Sequence, residues 1–497
     1  MENDNFQITV HGICMTVLFV MILIIACCPN TYAATINLKC GQTVRDSKSK
    51  HYYKAPPCPA PCPTQKPCPS CPPPAVCLTP APSPVPTPAP VPTAQPTPVP
   101  TPVPPPVPSP SPTPAPITGR TVDSMCSMYV NSTRDNATTA DMDRANKMRG
   151  YCGIVFTWWN NLPSQTWCPY IMQNSTVKAC GPYDNIGYIW KSDPMYKNFI
   201  STNQPSWLLK NSSGTLVGDM WDSGKTKTVV NVGYPAARQW FVDYFKSPTQ
   251  GAWWTGTYKD RVWNARWLDD FYLRPISNNV WDMAPINQIT GQALTNDVWQ
   301  GYKLEQLKVL RADADANGII LVANILSDVF WINLPNAPYN EALNYVDYAV
   351  FEIMVANLGG ELQSEAEWLR RTRNFQWIAK NSKAVPVVTT EYGDFYYNLA
   401  TMLLACEPGK CMTWQQPIMT DSQIAKIKTL DLGTPVSDFT KAGCYIRAWT
   451  KGLIVVNSMD SGNCSVPLTG NYADLETGTG VSGSVSVNSK DGKVLVK

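Results

Sequence analysis

The stretch ARWLDDFYLRP, residues 265–275, decides the fold because an apolar run ends there in two adjacent acids. Two negative charges next to a buried strand are unfavourable unless they have a function or a partner at the end of that strand. Asp269 and Asp270 are therefore candidate functional residues. Adjacent aspartates after a strand also serve as helix caps or loop ion pairs, so the surrounding sequence has to decide between these roles.

Strands and helices alternate on both sides of this stretch. Short apolar runs predict strands at 151–159, 167–174, 228–234, 265–271, 318–325, 348–355, 384–394 and 411–417. Helical patterns lie between them at 235–245, 297–312, 339–346, 361–381 and 397–405. This spacing predicts parallel strands joined by right-handed crossovers. No glycine-rich nucleotide turn follows any strand, which favours an α/β fold of the (β/α)8 TIM-barrel type over an open doubly wound sheet.

The chain changes character at both ends of this pattern. From about residue 440, short alternating strands with Gly, Asn and Asp turns predict a small C-terminal antiparallel β domain. The predicted domains are the barrel at 121–435 and the β domain at 436–497. All 18 tryptophans follow residue 150, so the large core belongs to this part of the chain.

The N-terminal part is predicted to place the barrel outside the cytosol. Residues 1–34 contain the apolar run 12–28 and small residues at 33–34, which indicates a cleaved signal peptide or, alternatively, a retained membrane anchor. Residues 35–78 are rich in Cys and Pro, and residues 79–120 form a disordered proline-rich stalk on the order of 120 Å long. The protein is expected to be secreted or at the extracellular surface. Any membrane contact would be through residues 12–28, and the stalk could attach to a cell wall or other surface.

Cysteine usage agrees with an oxidising compartment. Eight cysteines of the globular part are close in sequence two by two, which favours local disulfides although spacing cannot fix the connectivity. The pairs are Cys126 and Cys152, Cys168 and Cys180, Cys406 and Cys411, and Cys444 and Cys464. Cys68 and Cys71 have zinc-ligand spacing, but no second pair follows, so disulfides or cross-links are favoured there and no metal is expected. Glycosylation acceptors occur at Asn131, Asn136, Asn174, Asn211 and Asn463.

Histidine usage restricts the chemistry. The chain has two histidines, His11 and His51, and none in the predicted barrel, which excludes Ser-His-Asp, Cys-His and His-ligated zinc systems there. It also argues against a metal-dependent deacetylase. A net charge of +3 with 15% charged residues gives no nucleic-acid footprint. Carboxylate chemistry without a cofactor remains.

Acids recur where a barrel enzyme would need them, at the carboxyl ends of the strands. Asp269 and Asp270 end the predicted fourth strand, and Asn324, Glu352 and Glu391 lie at or near the ends of the next three. Apolar neighbours of Glu352 are expected to raise its pKa, as a general acid requires. One ionised and one protonated carboxyl are what glycosidic cleavage uses. Six aromatic residues at or just past predicted strand ends are candidates for stacking on sugars: Trp158, Trp159, Trp190, Trp331, Trp414 and Tyr392.

Several segments resemble the hypothetical glycosyl hydrolase family 15, a family of secreted glycoside hydrolases. They include PSWLLKNSSGTLV, NVGYPAARQWFVDYF, ARWLDDFYLRP, YAVFEIMV, LDLGTP and YIRAWTKGLIVVNS. The resemblance implies a TIM barrel with a C-terminal β domain and, by a more distant similarity to α-galactosidase-type barrels, Asp269 as nucleophile and Glu352 as proton donor. The donor is Glu here where that type has Asp. Asp270, Asn324 and Glu391 would then bind substrate hydroxyls.

Two alternatives stay open from the sequence. Glu391 could be the nucleophile, with an acid of the fourth strand as donor. The barrel could instead bind carbohydrate without cleaving it, as a structural or adhesive surface protein on the same stalk.

Overall fold

The structure, a computed structural model, describes residues 43–45, 52–54, 121–128, 134–157, 161–191, 205–220, 222, 224–246, 263–275, 281–324, 339–352, 354–356, 360–389, 393–415 and 419–497. The chain divides into two compact units, residues 1–105 and 106–497. In the first unit, strand β1 (Thr43–Arg45) pairs antiparallel with β2 (Tyr52–Lys54).

The sequence features that predict secretion and attachment lie outside the described residues. They are the apolar run 12–28, the Cys/Pro-rich run 58–77 and the proline-rich run 79–118. Among the residues that the structure does describe, no helix is both long and apolar enough to cross a membrane.

Eight parallel strands close into a barrel in the second unit, which confirms the predicted fold class. The strands of this region are β3 (Asp123–Met128), β4 (Ile154–Thr157), β5 (Ala179–Asn185), β6 (Tyr188–Trp190), β7 (Lys227–Val229), β8 (Ala265–Asp269), β9 (Ile320–Ala323), β10 (Tyr348–Phe351), β11 (Val385–Thr389) and β12 (Met412–Gln415). Around the barrel the order is β3, β4, β5, β8, β9, β10, β11 and β12, and β12 pairs with β3. β6 and β7 form a separate antiparallel pair.

Helices follow most of these strands. They are α1 (Thr139–Arg149), α2 (Asn161–Met172), α3 (Pro235–Lys246), α4 (Asn296–Asn317), α5 (Tyr339–Ala342), α6 (Glu365–Asn381), α7 (Phe395–Ala405) and α8 (Asp421–Thr429). Their ends follow from local sequence. The Thr295 side chain accepts a hydrogen bond from the Val298 amide at the start of α4, and Gly318 ends that helix with φ +62°, a conformation that glycine adopts without strain.

One predicted strand, 167–174, is wrong. These residues lie mostly in α2, which runs to Met172. The buried residues Trp167, Cys168 and Ile171 have helical spacing, so they cover one face of a helix rather than one face of a strand. Pro169 lies inside this helix. Proline in a short apolar run made the pattern resemble an extended segment.

The predicted strand 228–234 is also misplaced, because its strand, β7, pairs with β6 outside the barrel. The third barrel strand is β5, and the first is β3, which the sequence pattern did not reveal. The stretch 265–269 is nevertheless the fourth barrel strand, as predicted, because the two wrong assignments are offset by β3 and β5.

The barrel interior is filled by large side chains from alternate positions of the strands. The members of this interior cluster include Met125, Phe156, Tyr183, Trp267, Val322, Tyr348, Val350, Val387 and Trp414. Trp267 is central, with its ring centroid 5.3 Å from Phe156 and 4.6 Å from Trp414. These side chains fill the interior as a packed core, so a functional site is expected at the rim of the barrel.

The C-terminal residues form antiparallel sheets, as predicted. The strands are β13 (Thr440–Ala442), β14 (Cys444–Trp449), β15 (Gly452–Asn457), β16 (Cys464–Pro467), β17 (Tyr472–Asp474), β18 (Gly480–Val481), β19 (Ser484–Val487) and β20 (Asp491–Val496). Six of them form one sheet, while β16 pairs with β19. Helix α7 packs against β15 and β20.

Four disulfides join the cysteine pairs that are neighbours in the sequence. They are Cys126–Cys152, Cys168–Cys180, Cys406–Cys411 and Cys444–Cys464. The first two tie β3 to the segment before β4 and α2 to β5, which are parts of the barrel wall. Disulfides of this kind form in oxidising compartments, so they fit an extracellular protein.

Candidate active site

Three adjacent barrel strands carry the central polar side chains of the site. Asp269 is the last residue of β8, Asn324 directly follows β9, and Glu352 directly follows β10. β9 pairs with β8 on one side and β10 on the other. Since parallel strands end at the same rim of a barrel, residues far apart in sequence converge there.

The Asn324 amide joins the two acids directly. Its nitrogen Nδ2 donates to Asp269 Oδ1 at 3.1 Å and to Glu352 Oε2 at 2.8 Å. Because one nitrogen touches both oxygens, these oxygens are at most about 6 Å apart, the two bonds laid end to end. Asn324 is buried, whereas Asp269 and Glu352 are half-buried residues. The Asn324 amide therefore holds the two acids close together at the rim.

Strand β5 supplies a second set of donors. The Tyr183 hydroxyl donates to Asp269 Oδ2, and the Asn185 amide donates to Asp270 Oδ2. From beyond β8, the Tyr272 hydroxyl donates to Asp270 Oδ1 at 2.9 Å. The two aspartates are thus held by different partners, although they are consecutive residues.

The Asn185 amide has a fixed orientation. Its Oδ1 accepts hydrogen bonds from the backbone amides of Gly187 and Tyr188, at 3.1 and 2.9 Å, so its nitrogen must face Asp270. Asp270 has φ +51°, an unusual conformation for a residue with a side chain. Strained backbone of this kind persists where surrounding contacts hold it, commonly at functional sites.

Burial and mutual repulsion raise the pKa of both aspartates. Burial and then the charge of Glu352 raise the pKa of Asp269 to about 6, while the bonds from Tyr183 and Asn324 oppose the rise. Burial and then the charge of Asp269 raise the pKa of Asp270 to about 7, opposed by Lys227 and by the Tyr272 bond. Carboxyls with perturbed pKa values in a partly open site are candidates for proton transfer and nucleophilic attack.

A cation lies beside the acids. Lys227 Nζ on β7 is 2.9 Å from Asp219 Oδ2 and interacts with the charges of Asp270 and Asp269, which raise the pKa of this lysine. Burial acts in the opposite direction and is the largest single influence on it. A small recess beside Asp270 is lined by Gly187, Tyr188, Val229, Tyr272, Trp281, Trp299 and Lys303. Within the described residues, no group of three or more His, Cys, Asp or Glu could hold a metal ion.

The structure thus brings Asp269, Asp270, Asn324 and Glu352 together at one rim. Five other sequence candidates lie outside the described residues: Glu391, Tyr392, Trp158, Trp159 and Trp331. Trp414 does not present an open ring as expected. It is 2% exposed, its indole nitrogen donates to Ser127 Oγ at 2.8 Å, and its ring contacts Trp267 in the barrel interior. Its surroundings make it a core residue.

Sequence reasoning missed Tyr183, Asn185, Tyr272 and Lys227. The first two lie in the run ACGPYDN, whose Gly and Pro weaken its strand signal, so β5 itself was overlooked. Once β5 is known, alternation places Tyr183 and Asn185 on the same face. Lys227 comes from the insertion between β5 and β8, and no local pattern marks it.

Comparison with known proteins finds similarity in structure but not in sequence. The sequence matches no protein-family model and no curated protein. Among solved structures, the fold is similar to the GH31 dextranase of Flavobacterium johnsoniae complexed with glucose, with a TM-score of 0.44 and 11% identity over 77% of this chain and 52% of that chain. The chain therefore spans about half the length of that enzyme.

Two further solved structures are similar to this chain at a comparably low level. The cycloalternan-degrading enzyme of Trueperella pyogenes has a TM-score of 0.41 and 9% identity over 75% of this chain and 62% of that chain. Ega3 of Aspergillus fumigatus, in complex with galactosamine, has a TM-score of 0.32 and 12% identity over 56% of this chain and 79% of that chain. Similarity at this level says nothing about the substrate of the present chain.

Proposed function

We propose that the barrel is a retaining glycoside hydrolase in which Asp269 is the nucleophile and Glu352 the general acid/base. One observation carries this proposal: a single amide nitrogen, that of Asn324, contacts both carboxylates. Retaining enzymes place their two carboxyls about 5–5.5 Å apart, and inverting enzymes about 6.5–9.5 Å apart to admit a water. A separation of at most about 6 Å between the bonded oxygens favours the retaining arrangement.

The reaction then proceeds in two displacements. An Asp269 oxygen attacks the anomeric carbon while the Glu352 proton passes to the departing glycosidic oxygen, so one C–O bond forms as another breaks. In the second step Glu352 takes a proton from water, and the water oxygen displaces Asp269 from the anomeric carbon. Each residue regains its starting protonation state.

The neighbouring polar groups have supporting roles in this proposal. Asp270 binds substrate hydroxyls through lone pairs that remain after the bonds from Asn185 and Tyr272 are made. Asn324 sets the spacing of the two acids. Glu391 would bind substrate from the seventh strand, and its alternative role as nucleophile is tested by the same experiment.

The substrate we propose is a glycan outside the cell or at its surface. Four disulfides within the second unit favour an oxidising location. The barrel at 121–435 and the β domain at 436–497 would be held away from an attachment point by the stalk at 79–120. Which sugar is cleaved does not follow from these features.

Azide rescue tests the roles of the two acids. We expect Asp269→Ala to lose at least about 10⁴-fold in kcat on aryl glycosides, because the covalent step disappears. Azide should restore turnover and give a glycosyl azide of inverted configuration. Glu352→Ala should lose about 10²- to 10⁴-fold on substrates with poor leaving groups and less on activated ones. With this variant, azide should give the retained configuration. Products are identified by proton NMR.

The control is Asp243→Asn, which alters an exposed acid on α3 and should keep wild-type turnover. Wild-type rates in Asp269→Ala would disprove the assignment. If azide rescue with inversion appears instead in Glu391→Ala, the nucleophile is Glu391. Tight glycan binding by the wild type without release of any product from a panel of glycans would instead select the non-catalytic carbohydrate-binding role.

A further inference from the structure

We infer that Tyr183 is a positioning residue that holds Asp269 in its reactive orientation and in its ionised form. The inference rests on the proposed function, since it assigns Asp269 the role of nucleophile. Tyr183 lies 86 residues before Asp269 in the chain, and its hydroxyl donates to Asp269 Oδ2. The Asn324 amide occupies the other oxygen, so the carboxylate is held from both sides.

Strand register explains why the hydroxyl reaches this oxygen. On β5 and β8, Tyr183 pairs with Trp267 and Asn185 pairs with Asp269. Side chains two residues apart share a face, and diagonal neighbours on paired strands are within reach of long side chains. Tyr183 is therefore the diagonal neighbour of Asp269, from the interior side of the barrel.

The ring of Tyr183 is fixed by packing. It stacks on Trp267 with centroids 5.3 Å apart and an angle of 20° between the planes. The ring of Trp267 in turn packs against the rings of Phe156 and Trp414. Tyr183 is 7% exposed, so packing restricts its ring and the hydroxyl is directed at Asp269 before substrate binds. Pre-orientation of this kind is what nucleophilic catalysis needs.

Burial and then the charge of Glu352 oppose the ionisation of Asp269, while hydrogen bonds from Tyr183, Asn324 and the Asp270 backbone amide favour it. The charge of Asp269 also interacts with that of Lys227, a nearby cation. Burial and then the charges of Asp269, Asp270 and Glu352 raise the pKa of Tyr183 well above its ordinary value, so the phenol keeps its proton and remains a donor. A bond to the ionised carboxylate favours ionisation and opposes the effect of burial.

Titration of the carboxyl itself provides the decisive test. Aspartate labelled with carbon-13 at its side-chain carboxyl would be titrated by NMR, and the Asp269 signal identified by its loss in Asp269→Asn. In Tyr183→Phe the stacked ring stays but the donor is lost. We expect the pKa of Asp269 to rise by about one to two units, the effect of a hydrogen bond to a charged group.

The matched control is Tyr348→Phe. Tyr348 belongs to the same interior cluster and is 4% exposed, but its pKa is raised by burial and then by Asp123 and Asp347, not by the site carboxylates. It should leave the Asp269 titration unchanged. An unchanged Asp269 pKa in Tyr183→Phe, or an equal rise in Tyr348→Phe, would overturn the inference.

Two further measurements extend the test. In active enzyme, the acidic limb of kcat/KM should move to higher pH in Tyr183→Phe, with kcat reduced and KM little changed. If Tyr183→Phe does not fold, site-specific Tyr183→3-fluorotyrosine supplies a more acidic phenol of nearly equal size and should lower the pKa of Asp269, and no shift would count against the inference. A wild type inactive on all glycosides would contradict the proposed function, while the titration would still decide the role of Tyr183.

Discussion

At the scale of single residues, the site is built from groups that are unfavourable for folding. Two adjacent aspartates and a glutamate share one rim, and burial raises the pKa of both aspartates. Hydrogen bonds from Tyr183, Asn324, Asn185 and Tyr272 offset part of this effect. Enzymes commonly trade stability for a reactive arrangement in this way.

This trade predicts how stability depends on pH. Folding raises the pKa of Asp269 from an ordinary value of 3.8 to about 6. Its contribution to the free energy of unfolding is therefore fully present below about pH 4, where the carboxyl is protonated in both states. That contribution is lost as the pH rises through 6, because the buried carboxyl must then ionise. Asp269→Asn should therefore be more stable than wild type at about pH 8, by roughly 1–3 kcal/mol, and close to wild type at about pH 4.

Thermal unfolding at a series of pH values checks this prediction. The difference in Tm between variant and wild type should grow between about pH 4 and pH 6 and level off above about pH 7. Asp243→Asn, which alters an exposed acid, serves as the reference. A difference in Tm that stays constant with pH would mean that Asp269 is not destabilising when ionised.

At the scale of elements, the turn after β5 and the turn after β8 fit together closely. A Cβ added at Gly187 would lie 2.2 Å from the carbonyl oxygen of Asp270, a distance that no side chain tolerates. The backbone of Asp270 is already in a positive-φ conformation. Glycine at 187 is thus a consequence of the geometry that presents Asp270.

Replacing Gly187 with alanine should disturb the site by displacing the backbone of Asp270. Gly187→Ala is expected to lower stability by about 1–3 kcal/mol, because the two turns must separate, and to reduce turnover by displacing Asp270. Gly301→Ala is the control. Nothing lies within 4 Å of a Cβ at Gly301, and alanine inside α4 should stabilise by about 0.5–1 kcal/mol.

Urea denaturation and turnover of the two alanine variants are measured together. Equal stability of Gly187→Ala and wild type would show that the contact between the turns relaxes freely.

At the scale of the whole molecule, the C-terminal sheets are joined to the barrel through buried polar contacts. Arg447 on β14 is 2% exposed and donates to the carbonyls of Leu404 and Cys406 at the end of α7. It also donates to the Ser437 carbonyl and to Glu407 Oε1, both at 2.9 Å. One guanidinium therefore satisfies four acceptors at the junction.

Loss of this side chain should weaken the junction strongly. Arg447→Ala is expected to lower the free energy of unfolding by about 3–5 kcal/mol, because it leaves buried acceptors and a partly buried carboxylate without their partner. Lys441→Ala removes a more exposed ion pair with Glu365 and should change the free energy of unfolding by less than about 1 kcal/mol. Urea denaturation followed by tryptophan fluorescence compares them, and similar midpoints for the two variants would contradict this account.

Sequence alone determined what is local. Apolar runs from 265 onward identified β8 to β12, a helical pattern at 297–312 identified α4, and nearby cysteines indicated the disulfides later found. The absence of histidine from the barrel directed attention to carboxylates, and Asp269, Asn324 and Glu352 followed from their places at strand ends. These inferences needed only periodicity, residue spacing and composition, which can be seen over a few residues.

Only the tertiary structure decided which strands form the barrel and how the acids are held. A helix replaced one predicted strand, β7 paired outside the barrel, and β3 and β5 completed it. The bonds to Asp269 come from residues 86 positions before it and 55 after it. Partners so far apart are chosen by strand register and core packing, which are properties of the folded chain rather than of any short segment.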